Sequence, residues 1–269
     1  MIVSFRLLLL VLILFVLSFK SLKADEYKVG VLNFPPYFII KENNELQGSL
    51  YILLKKVLDN AGIKYSTQGF PPSRLYNNLK TGKTNIWLGI KGVKKYDAVV
   101  LYSKVSPKTI DVRVYTNEQV NPPKSINELK GKKVIIIRGY HYGGFIKFLK
   151  DPANQIILHP TNDHIQAFKM LLAHRANYLV DYRQPAKWTF KSGSLPQKDI
   201  NDVSIKKIKI FFIVSKKTPN AISLMKRIER SYGKLKKENR NWESFLKRLD
   251  SQFKAEESRL HKDFATFTH

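Results

Sequence analysis

The side chains best suited to metal binding or proton transfer at neutral pH are the six histidines. No pair of them has, together with a carboxylate, the spacing that places metal ligands on one face of a helix. The chain has no Gly-x-Ser-x-Gly motif and no phosphate-binding loop, and Gly139–Gly144 contains too many large residues for a dinucleotide-binding fingerprint. It also has no cysteine, so it can form no disulfide and no thiolate nucleophile. These observations predict no catalytic residue, no metal site and no cofactor.

The binding of a small solute is indicated instead by side chains that directly follow predicted strands. Three aromatic residues follow the first strand, and one of their rings could stack on a ligand: Phe34, Tyr37 and Phe38. Arg74 opens a helix after another strand, where its guanidinium could form two parallel hydrogen bonds with a carboxylate or phosphate. Arg138 and Tyr140 follow a later strand, and backbone N–H groups there could meet an anion. We therefore expect the chain to bind a solute without covalent chemistry.

Two α/β units position these residues. In the first unit, strands and helices alternate, with strands at Tyr27–Leu32, Lys64–Gly69 and Asn85–Gly89. The helix between the first two strands has leucine and valine at helical spacing from Leu50 to Leu58, and Gly62 is placed to end it. This alternation predicts a sheet with helices on its faces.

The second unit repeats that pattern after a long predicted strand at Thr109–Tyr115. It has strands at Lys133–Ile137 and Tyr178–Val180, and a helix over Asp163–Ala173 that begins with a capping box. The apolar strand Ile208–Val214 then precedes the last helices. The chain is therefore expected to cross between two lobes twice, through two extended segments.

The first residues are typical of an export signal. Arg6 precedes the apolar run Leu7–Leu17, and Ala24 is a small residue suited to a cleavage site. A membrane anchor is the alternative, but Lys20 interrupts the run before it reaches the roughly 20 apolar residues that a spanning helix needs. The predicted organisation is a signal peptide (1–24), a first lobe (25–110 and 208–253), a second lobe (111–207) and a polar tail (254–269). A periplasmic location follows from export.

The net charge is strongly positive. It is +26 for the whole chain, and it falls by three to +23 when Arg6, Lys20 and Lys23 leave with the signal. Such a charge attracts acidic ligands, anionic lipid or cell-wall polymers. The lysines are scattered along amphipathic helices, and no compact basic block is interleaved with aromatic residues, so we expect no nucleic-acid partner.

Five segments, in this order and spacing, carry a resemblance to a known family: Val29–Phe38, Leu46–Gly48, Leu79–Asn85, Glu128–Val134 and Arg175–Asp181. Across Tyr27–Leu249 the chain resembles the family 3 extracellular solute-binding proteins, periplasmic receptors that typically serve amino-acid transporters. The resemblance implies an α/β, periplasmic-binding-protein-like fold of type II. Each lobe would be a sheet flanked by helices, with two hinge crossings and the ligand between the lobes.

The resemblance also bears on individual residues. Asp181 lies where the family often has an aspartate that pairs with the ligand's amino group; a cap, or a salt bridge to Arg175 or Arg183, is the alternative. The family's carboxylate-binding arginine is missing from the turn that contains Lys91 and Lys94. These lysines could supply charge but not the planar fork, which argues against an ordinary amino-acid ligand.

We therefore expect an exported, monomeric protein, not an enzyme, that captures a small polar or charged solute by hinge closure for a membrane permease. The solute would be amino-acid-like or another small anion or zwitterion. One alternative is a sensory binding protein that docks on a membrane receptor. Another is a dehydratase-like enzyme on the same fold, for which Asp181 is the obvious protonated acid.

Overall fold

The computed structural model describes residues 26–92, 94–191, 195, 200–249 and 251, without the side chains of Lys94 and Lys95. The predicted signal peptide (1–24) and polar tail (254–269) lie outside the described residues. Among the residues that are described, no helix combines the length and the apolar composition needed to cross a membrane.

The first lobe contains six strands and three helices before the first crossing. The strands are β1 (Tyr27–Val31), β2 (Ile39–Ile40), β3 (Leu46–Gln47), β4 (Tyr65–Gly69), β5 (Ile86–Ile90) and β6 (Val100–Tyr102). The helices are α1 (Ser49–Asn60), α2 (Pro72–Thr81) and α3 (Lys94–Asp97). β1 lies between β4 and β5 and is parallel to both, while β2 and β3 form a separate hairpin.

Helix α1 forms because its apolar residues repeat at helical spacing and are buried on one face: Leu50, Leu53, Leu54, Val57 and Leu58. The backbone of Gly48, directly before α1, has φ of 117°, and a Cβ there would lie 2.3 Å from the carbonyl oxygen of Tyr37. Only glycine fits this approach, which fixes the turn that carries Phe34 and Phe38 against the start of α1.

Two long strands connect the lobes. β7 (Lys108–Asn117) and β11 (Ile200–Ser215) pair in antiparallel fashion, with a register shift between Ser204 and Lys206. The second half of β11 pairs with β5 and β6, whereas β7 pairs with β10 (Tyr178–Tyr182) of the second lobe. One sheet therefore runs through both lobes, and the predicted lobe limits at 110/111 and 207/208 fall within these two strands.

The second lobe continues that sheet. β8 (Lys133–Ile137) lies between β9 (Ile157–Thr161) and β10, parallel to both. Its helices are α4 (Ile146–Leu149), α5 (His164–Leu172) and α6 (Arg183–Lys191). Asp163 caps α5 by accepting a hydrogen bond from the Gln166 backbone N–H at 2.7 Å, which is one half of the predicted capping box. The Gln166 side chain accepts instead from the Asn162 N–H at 3.2 Å, one residue before the cap. After β11, the helix α7 (Ala221–Glu238) and the helical residues 242–249 return to the first lobe, where Ser231 of α7 hydrogen-bonds the Val57 carbonyl of α1.

Candidate ligand-binding cleft

Two cavities lie where the lobes meet, close to the carboxyl ends of the central strands. β1 and β5 of the first lobe, and β8 and β10 of the second, end in the residues that form the walls. Tyr140 lines both cavities and separates an aromatic one from a polar one. This is where α/β sheets usually bind ligands.

The aromatic cavity is enclosed by rings from both lobes. The first lobe supplies Phe34, Phe38, Tyr76 and Trp87, and the second supplies Tyr140, His141 and Tyr182. The rings of Phe34 and Tyr182 meet edge to face across the cleft, with centroids 4.9 Å apart, and those of Tyr76 and His141 do the same at 4.9 Å. The centre of a water molecule can occupy only about 40 Å³ of this cavity. Among the side chains that the structure describes, which do not include Lys94 and Lys95, no aspartate, glutamate, lysine or arginine lines it.

The polar cavity is larger, with about 360 Å³ open to the centres of water molecules. Its polar walls come from both lobes: Asn33 and Asn44 from the first, and Arg138, Asn162, Asp163 and His164 from the second. Its apolar walls include Phe70, Pro71 and Pro72 at the end of β4 and the start of α2. Of its polar wall residues only His164 is buried, so this cavity is an open groove in which a small hydrophilic solute would find hydrogen-bonding groups.

Tyr140 connects the lobes directly. Its phenol hydroxyl donates a hydrogen bond of 2.8 Å to the main-chain carbonyl of Asn33, and it lies 3.4 Å from Nε2 of His164. Burial is the main reason that the pKa of Tyr140 is raised well above its usual value, with the Asp181 charge adding to it. The hydroxyl therefore stays protonated and remains a donor throughout the physiological pH range.

Both carboxylate oxygens of Asp181 form hydrogen bonds within the second lobe. Its side chain is completely buried, and Oδ2 lies 2.7 Å from Nδ1 of His164. The other oxygen, Oδ1, accepts a hydrogen bond from the Tyr182 backbone N–H at 2.7 Å. Asp181 lines neither cavity, and its partner is His164 rather than Arg175 or Arg183. A role in holding His164 against the polar cavity fits this geometry.

The aromatic residues predicted after β1 separate into two kinds. Phe34 and Phe38 line the aromatic cavity. Tyr37 is 2% exposed, lies behind the turn, and has the ammonium group of Lys108 5.2 Å from its ring centroid. The two phenylalanines are therefore in position to contact a ligand, and Tyr37 supports the turn that holds them.

The predicted cationic side chains also differ in whether they line a cavity. Arg138 lines the polar cavity, and its Nε donates to Oδ1 of Asn162 at 3.1 Å. Arg74 is exposed on α2 and lines neither cavity, and Lys91 is exposed with its ammonium group 5.4 Å from the Tyr102 ring centroid. The side chain of Lys94 lies outside the described part of the structure.

Several cleft residues were not predicted from the sequence. Tyr76, Trp87, His141 and Tyr182 line the aromatic cavity, and Asn33 and His164 line the polar one. Asn33 and Tyr182 follow or end a strand, so the rule that selected Phe34 could have found them. Tyr76 and Trp87 lie within an amphipathic helix and a buried strand, where aromatic side chains usually belong to the core.

The lobes also approach each other through glycine backbones. A Cβ on Gly92, in the first lobe, would lie 3.0 Å from both the carbonyl carbon and the oxygen of Gly143 in the second. The ammonium group of Lys206, on β11, donates to that same Gly143 carbonyl at 2.7 Å. The two lobes are thus in close contact on this side of the aromatic cavity.

No protein-family model matches the sequence, and the search of curated proteins gives no match either. Solved structures do match. The sensor domain of a histidine kinase, described as similar to periplasmic binding proteins, has a TM-score of 0.71 at 18% sequence identity, covering 86% of this chain and 96% of that one. This chain has the periplasmic-binding-protein fold.

Two further structures with this fold show its range. The substrate-binding protein of an amino acid ABC transporter has a TM-score of 0.65 at 18% identity, covering 85% of this chain and 99% of that one. An ancestral amino acid-binding protein, a precursor of cyclohexadienyl dehydratase, has a TM-score of 0.65 at 17% identity, covering 83% and 94%. The predicted two-lobed α/β architecture and the resemblance to solute-binding proteins are confirmed at the level of the fold.

Proposed function

We propose that the protein is exported and captures a small polar or charged solute between its lobes, by hinge closure, for delivery to a transporter. The observation that carries the proposal is the pair of cavities walled by both lobes and divided by Tyr140. Because both lobes contribute residues to each cavity, the full set of contacts with a solute forms only when the lobes are together. Binding and closure are therefore coupled.

Four of the predicted residues would contact the solute. Phe34 and Phe38 would pack against its apolar part, while Arg138 and Tyr140 would face its polar part. Direct ligand contact by Tyr37, Arg74, Lys91, Lys94 and Asp181 stays a prediction. For Tyr37 and Asp181, support of the residues that line the cleft is the role that their contacts favour.

A thermal-shift screen of the purified protein against amino acids, polyamines, organic acids and sugar phosphates tests the proposal. A true ligand should stabilise the protein by about 2.7 kcal/mol at a hundredfold excess over Kd. Small-angle scattering of the same samples should show a smaller radius of gyration on binding, and the ligand should be recovered chemically unchanged. A ligand that is converted would instead favour a dehydratase-like enzyme.

The similarity to a histidine kinase sensor domain supports a second candidate function, a sensory binding protein that docks on a membrane receptor. Cross-linking in intact cells distinguishes the two, because the ligand-bound protein should attach to a permease in one case and to a receptor kinase in the other.

Export is tested separately: N-terminal sequencing of the secreted protein should begin near Asp25. Recovery of intact Met1 in a membrane fraction would contradict cleavage.

A further inference from the structure

Helix α7 carries a row of positive charge on the side that faces solvent. Its buried side packs against α1 and β11 of the first lobe. With about 3.6 residues per turn, the exposed side chains opposite that buried side include four cations and no carboxylate. We call this row the basic stripe: Lys226, Arg230, Lys234 and Lys237.

The cations of the basic stripe take little part in holding the protein together. Lys234 lies 3.9 Å from Glu238, and the other three form no hydrogen bond or ion pair with another residue in the part of the chain that the structure describes. Arg227, beside the stripe, is different, because its guanidinium donates to the carbonyl of Ala61 at the end of α1, at 2.9 Å. A structural role therefore accounts for Arg227 but not for the stripe.

The basic stripe is also unfavourable for the helix that carries it. Lys226 and Arg230 are four residues apart, as are Arg230 and Lys234, and like charges at this spacing repel each other and destabilise a helix. The helix dipole favours cations only in the last turn, which accounts for Lys237 but not for Lys226 or Arg230. A negatively charged partner outside the chain would balance this repulsion.

The surface around the basic stripe indicates the kind of partner. A protein interface usually has an apolar or aromatic core inside a polar rim. The only large apolar side chain that α7 exposes is Ile222, one turn before Lys226, and it is 65% exposed. A row of exposed cations without an apolar core matches the diffuse negative charge of lipid headgroups, which attracts each lysine or arginine that comes near them.

We propose that the basic stripe docks the protein on a membrane surface rich in anionic lipid. The four cations would lie among the lipid phosphates, and Ile222 would enter the headgroup layer. No residue of α7 lines the aromatic or the polar cavity, so docking leaves both cavities free to bind a solute. The proposed export determines only which membrane the protein meets, and docking itself depends on the stripe.

Co-sedimentation of the secreted protein with lipid vesicles tests this inference. The vesicles contain phosphatidylcholine alone, or an equal mixture of phosphatidylcholine and phosphatidylglycerol. We expect binding only to the mixture, and weaker binding at high salt, because salt screens exposed charges. The triple variant Lys226→Gln, Arg230→Gln, Lys237→Gln should bind the mixture about tenfold to a hundredfold less tightly, since each cation near an anionic surface adds to the attraction.

A second triple variant, Lys132→Gln, Lys150→Gln, Lys169→Gln, is the matched control. It removes the same number of exposed cations, all from the second lobe, and should weaken binding by about twofold or less because distant charges are screened. Both variants should keep the circular dichroism of the wild type. The stripe variant should melt at the wild-type temperature or above it, because the repulsion along α7 is relieved.

Three results would overturn the inference. Equal losses in the two variants would show that net charge, and not the basic stripe, attracts the vesicles. Equal binding to both kinds of vesicle would exclude attraction by anionic lipid. Absence of binding to the mixed vesicles at low salt would also refute it, and binding of poly-L-glutamate in that case would indicate an acidic protein as the partner. A solute from the thermal-shift screen should bind the stripe variant as it binds the wild type, so failure of docking and failure of the proposed function are distinguishable.

Discussion

The phenol hydroxyl of Tyr140, in the second lobe, donates a hydrogen bond of 2.8 Å to the main-chain carbonyl of Asn33, in the first. The bond lies on the boundary between the aromatic and polar cavities, since Tyr140 lines both. Because the acceptor belongs to the backbone directly after β1, the strand position fixes it, and only the tyrosine can be altered to remove the bond. Tyr140 is thus the residue through which cleft closure can be tested most directly.

Tyr140→Phe should loosen the closed arrangement while keeping the ring in place. Loss of one hydrogen bond between the lobes is expected to reduce ligand affinity by about fivefold, equivalent to about 1 kcal/mol. Small-angle scattering should show a larger mean radius of gyration at equal ligand concentration. Tyr178→Phe, a tyrosine on β10 that lines neither cavity, is the control. Equal affinity in both variants and the wild type would mean that the bond does not hold the lobes together.

Gly92→Ala should hinder closure by steric contact. The new Cβ would lie 3.0 Å from the Gly143 carbonyl group in the opposite lobe, and the φ of 116° at this position is itself unfavourable for alanine. We expect ligand affinity to fall by about tenfold or more, as for other overpacked contacts. The readout is calorimetric titration with a ligand from the screen.

Gly131→Ala provides a matched control for that variant. Gly131 also has a positive φ, of 69°, but nothing lies within 4 Å of its added Cβ. It shares the backbone strain without the contact between lobes, so it should lower the melting temperature without changing affinity in the folded protein. If the two variants lose affinity equally, backbone strain and not obstruction of closure is the cause.

The fold could be predicted from the sequence to the extent that it depends on local patterns. The leucine and valine spacing in α1, the alternation in β1 and the apolar run in β8 can be recognised in the sequence without knowing what each element packs against. β11 was predicted only over Ile208–Val214, yet it begins at Ile200. Its first half is largely polar and forms a strand because it pairs with β7, and such pairing between distant segments is not visible in a local pattern.

For the candidate site, position at the end of a strand predicts which residues line the two cavities, while their contact with a ligand stays a prediction. Phe34, Phe38, Arg138 and Tyr140 follow strand ends, and the structure places all four in cavity walls. The pairing of Asp181 with His164 depends instead on how α5 packs beside β10, and no spacing in the sequence specifies that contact. For the same reason, the sequence could not show that the carboxylate of Asp181 is occupied.

Asp181→Ala should destabilise the folded protein. The substitution removes the buried acceptor of both the Tyr182 N–H and the His164 imidazole, and leaving such groups unsatisfied typically lowers the free energy of unfolding by about 1–3 kcal/mol. Asp181→Asn keeps one acceptor oxygen and should lose less. Glu118→Ala, which removes an exposed carboxylate directly after β7, is the control. An unchanged urea midpoint for Asp181→Ala, together with lost affinity, would instead indicate direct ligand contact.

Three tyrosines around the cleft should resist ionisation until the protein unfolds. Burial is the largest cause that raises the pKa values of Tyr140, Tyr142 and Tyr182 well above the usual value, and the Asp181 charge adds to the effect. The folded state favours the protonated phenol. The protonated phenols therefore stabilise the folded state fully below the unfolded pKa of about 10. That contribution is lost as the pH rises further, because only the unfolded chain releases these protons.

Tyrosinate absorbance, recorded together with circular dichroism during an alkaline titration, measures this behaviour. Partly exposed tyrosines should ionise reversibly while the fold persists, and the buried ones should ionise only with the loss of helical signal. Tyr182→Phe should reduce the second phase by one tyrosinate and leave the first phase unchanged. In guanidinium chloride, all thirteen tyrosines should ionise in one phase at about pH 10. A single reversible phase in the folded protein would show that the tyrosines around the cleft are open to solvent, and that the lobes do not enclose them in solution.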